Sequence, residues 1–175
     1  MDKFRKQELL SNIILVGMMG CGKSSVGQAI SQRASMLFID TDVMIEERLK
    51  MTIPHIFEQY GESYFRSLEA ETAFQISTST NTVIATGGGI IINPHNMTLL
   101  KASGFIVYLR CNPQQLYERT TGDRNRPLQN RLEELLIQRE PLYAKYSDLI
   151  IDSDKATVAG LSEMILNEYS SYKRA

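Results

Sequence analysis

Cysteine, charge excess and long apolar runs are all scarce in this 175-residue sequence, and each scarcity excludes something. Cys21 and Cys111 form neither a disulfide framework nor a metal-type spacing. A net charge of −1 argues against a general nucleic-acid or membrane-surface binder. No stretch approaches the roughly eighteen apolar residues of a transmembrane helix. The opening MDKFRKQELLS carries no apolar signal region and no cleavage site. Repeats and low-complexity tracts are missing too. The expected setting is therefore reduced and cytoplasmic. The two histidines, His55 and His95, each follow a proline near a helix start, where surface or capping positions need no catalytic role.

What is present fits one domain over 1–175. Hydrophobic residues make up 43% and charged residues 22%, enough for a core and ordinary for its surface. Five short apolar runs read as buried strands: Ile13–Val16, Met36–Ile39, Thr82–Ala85, Phe105–Leu109 and Leu149–Ile151. They are near-continuous rather than alternating, as in a parallel sheet covered on both faces. Helical patterns separate them, over Ser24–Arg33, Val43–Lys50, Glu62–Thr78, Pro94–Ala102, Pro113–Thr121, Gln129–Ala144 and Val158–Tyr172. Alternation of this kind predicts an α/β fold with right-handed crossovers. Two connections, about 41–78 and about 120–129, exceed what a crossover needs, and such excess is usually functional.

The first apolar run leads into GMMGCGKSS, Gly17 to Ser25, which fits the phosphate-loop pattern G-x-x-x-x-G-K-[ST]. Strand before and helix after is the context that pattern requires. Successive backbone N–H groups and a helix N-terminus make an anion nest there. Lys23 can neutralise β/γ-phosphate charge and the Ser24 hydroxyl can ligate Mg²⁺. The loop is thus expected to hold a nucleoside triphosphate. Cys21, inside it, is a candidate reactive thiolate, although redox regulation is not expected.

FIDTD, Phe38 to Asp42, ends the second run. In an extended chain Asp40 and Asp42 share a face and point into the crevice where such sheets bind ligands. One carboxylate can serve a metal and the other a hydroxyl acceptor. The plainer alternative makes Asp42 a helix N-cap. In GESYFRSLEAE, Gly61 to Glu71, Arg66 and Glu69 stand i,i+3 on one helix face, where a surface ion pair is the plain reading. Three consecutive glycines in IATGGGI, Ile84 to Ile90, are costly after a buried strand unless the backbone must approach something closely.

RTTGDRNRPLQNR, Arg119 to Arg131, has four arginines against one aspartate. RNA binding is one reading, but the stretch lacks interleaved aromatics. A lid hinged at Gly122 is better supported, with Arg126 able to reach the phosphates. Arg139, in QREPLYAKY, can form a bidentate clamp on a carboxylate.

GMMGCGKSS, FIDTD, GESYFRSLE, TGGG, RNRPL and REPLY follow one another in this order between about Asn12 and Asp152. Together they resemble the shikimate kinases. The resemblance implies a P-loop kinase fold: a five-stranded parallel sheet with helices on both faces, an acceptor-binding segment at about 41–78 and a lid at about 119–130. It implies ATP- and Mg²⁺-dependent phosphorylation of the 3-hydroxyl of shikimate, in the route to chorismate and aromatic amino acids, by a monomer. Carried over residue by residue, Gly20, Cys21, Gly22, Lys23, Ser24 and Ser25 would bind ATP. Arg126 would close on the phosphates, Arg119 would lie against adenine, and a loop near 152–157 would complete the adenine side. Ser24 and Asp40 would hold Mg²⁺. Asp42 would hold the acceptor hydroxyls. Arg66, Arg139 and the backbone of Gly87, Gly88 and Gly89 would bind the acceptor carboxylate and ring, with Glu69 orienting Arg66. Lys23, Asp42 and Arg126 would carry the catalysis. Ser25 stands where the family more often has threonine; both carry a hydroxyl.

An aspartate in water titrates near about 3.9 and is a poor base, so Asp42 is expected to position the hydroxyl and accept its proton late. A nucleoside-monophosphate kinase would carry Asp-Gly-x-Pro-Arg near the third strand, where this chain has Thr-Gly-Gly-Gly. Gluconate shares a carboxylate and hydroxyls, so a gluconokinase stays open, although the settings of Arg66 and Arg139 favour shikimate. A catalytically silent nucleotide-binding protein would be expected to lack Lys23, Asp42 or Arg126, and all three are present.

Overall fold

The computed structural model describes residues 12–120 and 131–173. β1 (Asn12–Val16) leads to α1 (Lys23–Ala34) and β2 (Leu37–Asp40). Two helices follow, α2 (Thr41–Leu49) and α3 (Ile53–Ile76), before β3 (Thr82–Ala85). A 3₁₀ turn (Ile90–Ile92) precedes α4 (Pro94–Ser103) and β4 (Gly104–Arg110). The chain continues through α5 (Pro113–Thr120), α6 (Leu132–Tyr146), β5 (Leu149–Asp152) and α7 (Val158–Tyr172).

All five expected strands form, and they pair in parallel in the order β2-β3-β1-β4-β5. β1 and β3 are buried along their whole length, and β4 up to Leu109. The edge strands β2 and β5 are only partly covered. The apolar runs are continuous in the middle of the sheet because helices lie over both faces. From β1 the chain moves to the β2 edge, whereas from β3 it crosses to β4 on the other side. Right-handed crossovers in opposite directions place α1 and α4 on opposite faces. α7 packs on α1, and α3 packs on α4. The reversal of direction opens a crevice at the C-terminal ends of β1 and β3.

The long β2–β3 connection has a core of its own. Ile45 from α2 meets Ile56, Phe65 and Leu68 from α3, separate from the main core. The first part of α3, Ile53–Tyr60, was not expected from sequence. Ile53, Ile56 and Phe57 carry a helical spacing, but Pro54 and Gly61 obscure it. Pro54 sits in the first turn, where its missing N–H costs nothing. Gly61 (φ 80°, ψ 171°) breaks the helix geometry without ending it, a conformation open to glycine.

At the opposite end of the sheet Asn12 fixes the strand starts. Its fully buried side chain donates from Nδ2 to the Ser79 and Ser103 carbonyls, at 2.7 and 3.1 Å, and accepts from Thr82 N–H at 3.1 Å. Asn12→Ala leaves buried backbone groups unpaired and should lower the unfolding free energy by about 2–4 kcal/mol. Urea denaturation measures this; a loss below about 0.5 kcal/mol would show that the backbone finds other partners.

Candidate active site

The phosphate loop spans Gly17 to Ser24 between β1 and α1. Gly22 caps α1 in the left-handed region (φ 95°), which a side chain would strain. A methyl on Gly17 would overlap the Leu109 carbonyl of the neighbouring strand. Lys23 folds back over the loop, donating from Nζ to the Gly17 and Met18 carbonyls at 2.9 and 2.8 Å. Ser24 Oγ donates to Asp40 Oδ2 at 2.6 Å. The loop floors a cleft of about 730 Å³, a size that suits a nucleotide. Ser25 also lines it.

Arg119 stands on the cleft wall, 3.5 Å from the Gly20 carbonyl and 2.8 Å from Gln115 Oε1. Beyond it Ser153, Ala156 and Thr157 line the far end, within or beside the stretch read as the adenine side. Asp152 turns away instead: hydrogen bonds from Arg110 and Lys155, at 2.7 and 2.6 Å, hold its carboxyl down to about 2. Cys21, the candidate reactive thiol of the loop, lines the cleft but is only 1% exposed, with Sγ 3.7 Å from Lys23 Nζ. Arg126 and the hinge Gly122 lie outside the described residues.

On the acceptor side the local geometry departs from the sequence expectation. β2 stops at Asp40 and the chain turns directly into α2, so Asp40 and Asp42 are not successive residues of an extended strand. Nor is Asp42 the N-cap. Asp40 is, accepting from the N–H groups of Asp42 and Val43 at 3.0 and 3.4 Å. Its other oxygen meets Ser24, so one carboxylate joins the phosphate loop to α2. Both aspartates nevertheless line the cleft.

Asp42 Oδ1 is buried and has no hydrogen-bond partner among the described residues. Burial, then the nearby charges of Asp40 and Glu69, raise its pKa to about 7. The expectation of a poor base rested on the aqueous value, and burial beside Asp40 and Glu69 raises that value here. Near neutrality such a carboxylate can take a proton as well as orient a hydroxyl.

Close approach accounts for Gly87 and Gly89, whereas a Cβ on Gly88 would make only ordinary contacts. A methyl on Gly87 would overlap the Asp42 carboxylate and crowd Glu69; one on Gly89 would overlap the Arg66 guanidinium. Gly87 N–H donates to Thr41 Oγ1 at 2.8 Å. Arg66 donates to Glu69 at 2.5 Å and to Glu62 at 2.7 Å. This is no surface pair: Glu69 is 2% exposed, and burial raises its pKa against the pull of Arg66. Arg139 is also buried, and its Nε has no partner among the described residues. Arg66, Glu69 and the glycines are thus brought beside Asp42. Arg139 reaches the same loop through Tyr143, whose hydroxyl donates to the Gly88 carbonyl at 2.5 Å.

Sequence reasoning missed Thr41, Glu62 and Tyr143. Thr41 and Tyr143 stand inside FIDTD and REPLY, but their partners are distant in the chain and leave no local signal.

A sequence profile described as shikimate kinase matches residues 19–170. The chain belongs to the shikimate kinase family. The shikimate kinase of Dechloromonas aromatica (strain RCB) is 44% identical, over 91% of this chain and 90% of its own. A solved shikimate kinase from Acinetobacter baumannii, in complex with shikimate, superposes with a TM-score of 0.90 at 36% identity, covering 97% of this chain and 98% of its own. A gluconokinase from Sinorhizobium meliloti 1021 is 16% identical with a TM-score of 0.63, a likeness of fold alone. The P-loop kinase architecture of this shikimate kinase family member is therefore as the sequence implied. Among the described residues no helix is long and apolar enough to cross a membrane.

The raised pKa of Asp42 is also a statement about stability. Between its unfolded value of 3.8 and about 7 the folded chain holds the proton more tightly, so rising pH through this window costs stability. Without nucleotide or metal, Asp42→Asn should raise the unfolding free energy by about 1–3 kcal/mol at pH 8 and by less at pH 5. Thermal melts in chelator at both pH values test this; a variant less stable than wild type at pH 8 would contradict it.

Proposed function

We infer that this chain transfers the γ-phosphoryl group of ATP to the 3-hydroxyl of shikimate, giving shikimate 3-phosphate and ADP on the route to chorismate. The observation that carries the reading is the buried, incompletely paired guanidinium of Arg139, close to the bare backbone of Gly88. A buried cation of this kind calls for an anion, and shikimate brings a carboxylate. Arg66, on a different element, supplies the second positive group, held in place by Glu69 and Glu62.

The reaction follows from the parts. ATP occupies the cleft with its phosphates on the N–H groups of Gly20 to Ser25. Lys23 exchanges its loop carbonyls for phosphate oxygens. Arg119 and the 153–157 wall face the adenine. Ser24 and Asp40 suit Mg²⁺: the paired oxygens are hard donors, and this ion commonly takes one or two protein ligands beside phosphates and water. When bound it would neutralise charge developing on the phosphates. Arg139, Arg66 and the Gly87–Gly89 backbone hold the acceptor. Asp42 orients the 3-hydroxyl and takes its proton as the oxygen attacks the γ-phosphorus in line. Catalysis here is mostly alignment and charge neutralisation. Arg126 is proposed to close over the phosphates as part of a lid at 119–130, and the 41–78 segment to form the acceptor wall. The protein is proposed to act as a cytoplasmic monomer.

A coupled ADP-release assay with ATP and Mg²⁺ compares shikimate, gluconate, AMP and no acceptor. Release is expected with shikimate alone; release with gluconate instead would overturn the reading of the arginine clamp. Arg139→Ala should raise the KM for shikimate at least about tenfold, the scale of a lost charged hydrogen bond, with the KM for ATP near wild type. Equal changes in both KM values would count against an acceptor role.

A further inference from the structure

Tyr143 is fully buried in α6, one turn beyond Arg139. Its ring stacks on Tyr108 with centroids 5.0 Å apart. Packing alone would be served equally by phenylalanine. The hydroxyl must therefore be explained by what it touches, and three parts of the site meet there. It donates to the Gly88 carbonyl at 2.5 Å, lies 3.7 Å from Met18 Sδ in the phosphate loop, and has Arg139 against the same oxygen.

Gly88 itself lies between these parts. A Cβ built on it would stand 3.4 Å from the Gly17 carbonyl, 3.5 Å from Met19 N and 3.6 Å from the Tyr143 hydroxyl. The start of the same loop is tied down by Thr41, which accepts from Gly87 N–H. Tyr143 is the corresponding tie at Gly88. Its loss would leave a carbonyl short of a donor and free the loop and Arg139 to shift independently.

We propose that Tyr143 is a positioning residue for the acceptor: its hydroxyl holds Gly88 and Arg139 at one spacing from each other and from the phosphate loop. This rests on the reading of shikimate as acceptor. A displacement of about 1 Å is enough to cost a kinase about a hundredfold in rate, so a single bond at this junction matters.

Tyr143→Phe in the full chain tests it, with Tyr169→Phe as control. The Tyr169 hydroxyl is buried without a partner among the described residues, and its ring packs on Phe105, in the main core. In Tyr143→Phe the KM for shikimate should rise about tenfold and kcat should fall, while the KM for ATP stays within about twofold. Calorimetric binding of shikimate should weaken by the same factor. Tyr169→Phe should change neither KM. Unchanged kinetics in Tyr143→Phe, parallel rises in both KM values, or failure of that variant to fold would each overturn the inference, the last two by making the hydroxyl a general structural bond. A wild-type protein without shikimate-dependent turnover would overturn the acceptor reading together with it; an active wild type with an unaffected Tyr143→Phe overturns this inference alone.

Discussion

Thr86 donates twice to the Leu15 carbonyl, from its backbone N–H at 3.1 Å and from its hydroxyl at 3.0 Å. These bonds extend the pairing of β1 with β3 past the last paired residues, Leu15 and Ala85. The phosphate loop leaves one strand and the glycine triplet leaves the other, so the two loops begin in contact. Gly88 stays beside them: a Cβ on it would stand 3.4 Å from the Gly17 carbonyl and 3.5 Å from Met19 N. The spacing of the two loops is thus set by two neighbouring strands buried along their whole length, while the helical 41–78 segment brings side chains to that line.

The second constraint is electrostatic. Asp40, Asp42 and Glu69 are gathered close to one another, opposed by Lys23, Arg66 and Arg139. In the protein alone the balance is incomplete. Among the described residues, Asp42 and Glu69 each keep an oxygen without a hydrogen-bond partner, and Arg139 keeps its Nε. Lys23 meanwhile rests on its own loop carbonyls. In the proposed reaction these groups would meet the charges and hydroxyls that the substrates bring. The raised pKa of Asp42 records the cost, since a carboxylate useful near neutrality is one that destabilises the folded chain.

Much of this was legible beforehand because its causes are local. The five strands follow from apolar runs, and the phosphate loop from glycine spacing and the strand-to-helix context. Arg66 and Glu69 meet because i,i+3 on a helix brings them together. What could not be read was decided by chain turns of one or two residues and by distant partners. Asp40 rather than Asp42 caps α2 because β2 ends two residues earlier than an extended FIDTD would require. The helix over Ile53–Tyr60 was hidden by a proline that its first turn tolerates and a glycine that bends it without stopping it.

The sequence by itself determined the α/β class, the nucleotide loop and the family, because backbone conformation and motif order are encoded over short stretches. Only the tertiary structure decided how the residues expected on the acceptor side are arranged. It buried Asp42 beside Asp40 and Glu69 and so moved its pKa. It set Thr41 against Gly87 and Tyr143 against Gly88, and left Arg139 Nε without a hydrogen-bond partner among the described residues. Desolvation, charge proximity and hydrogen bonding across the fold depend on which residues become neighbours, and neighbours in space are not written as neighbours in the chain.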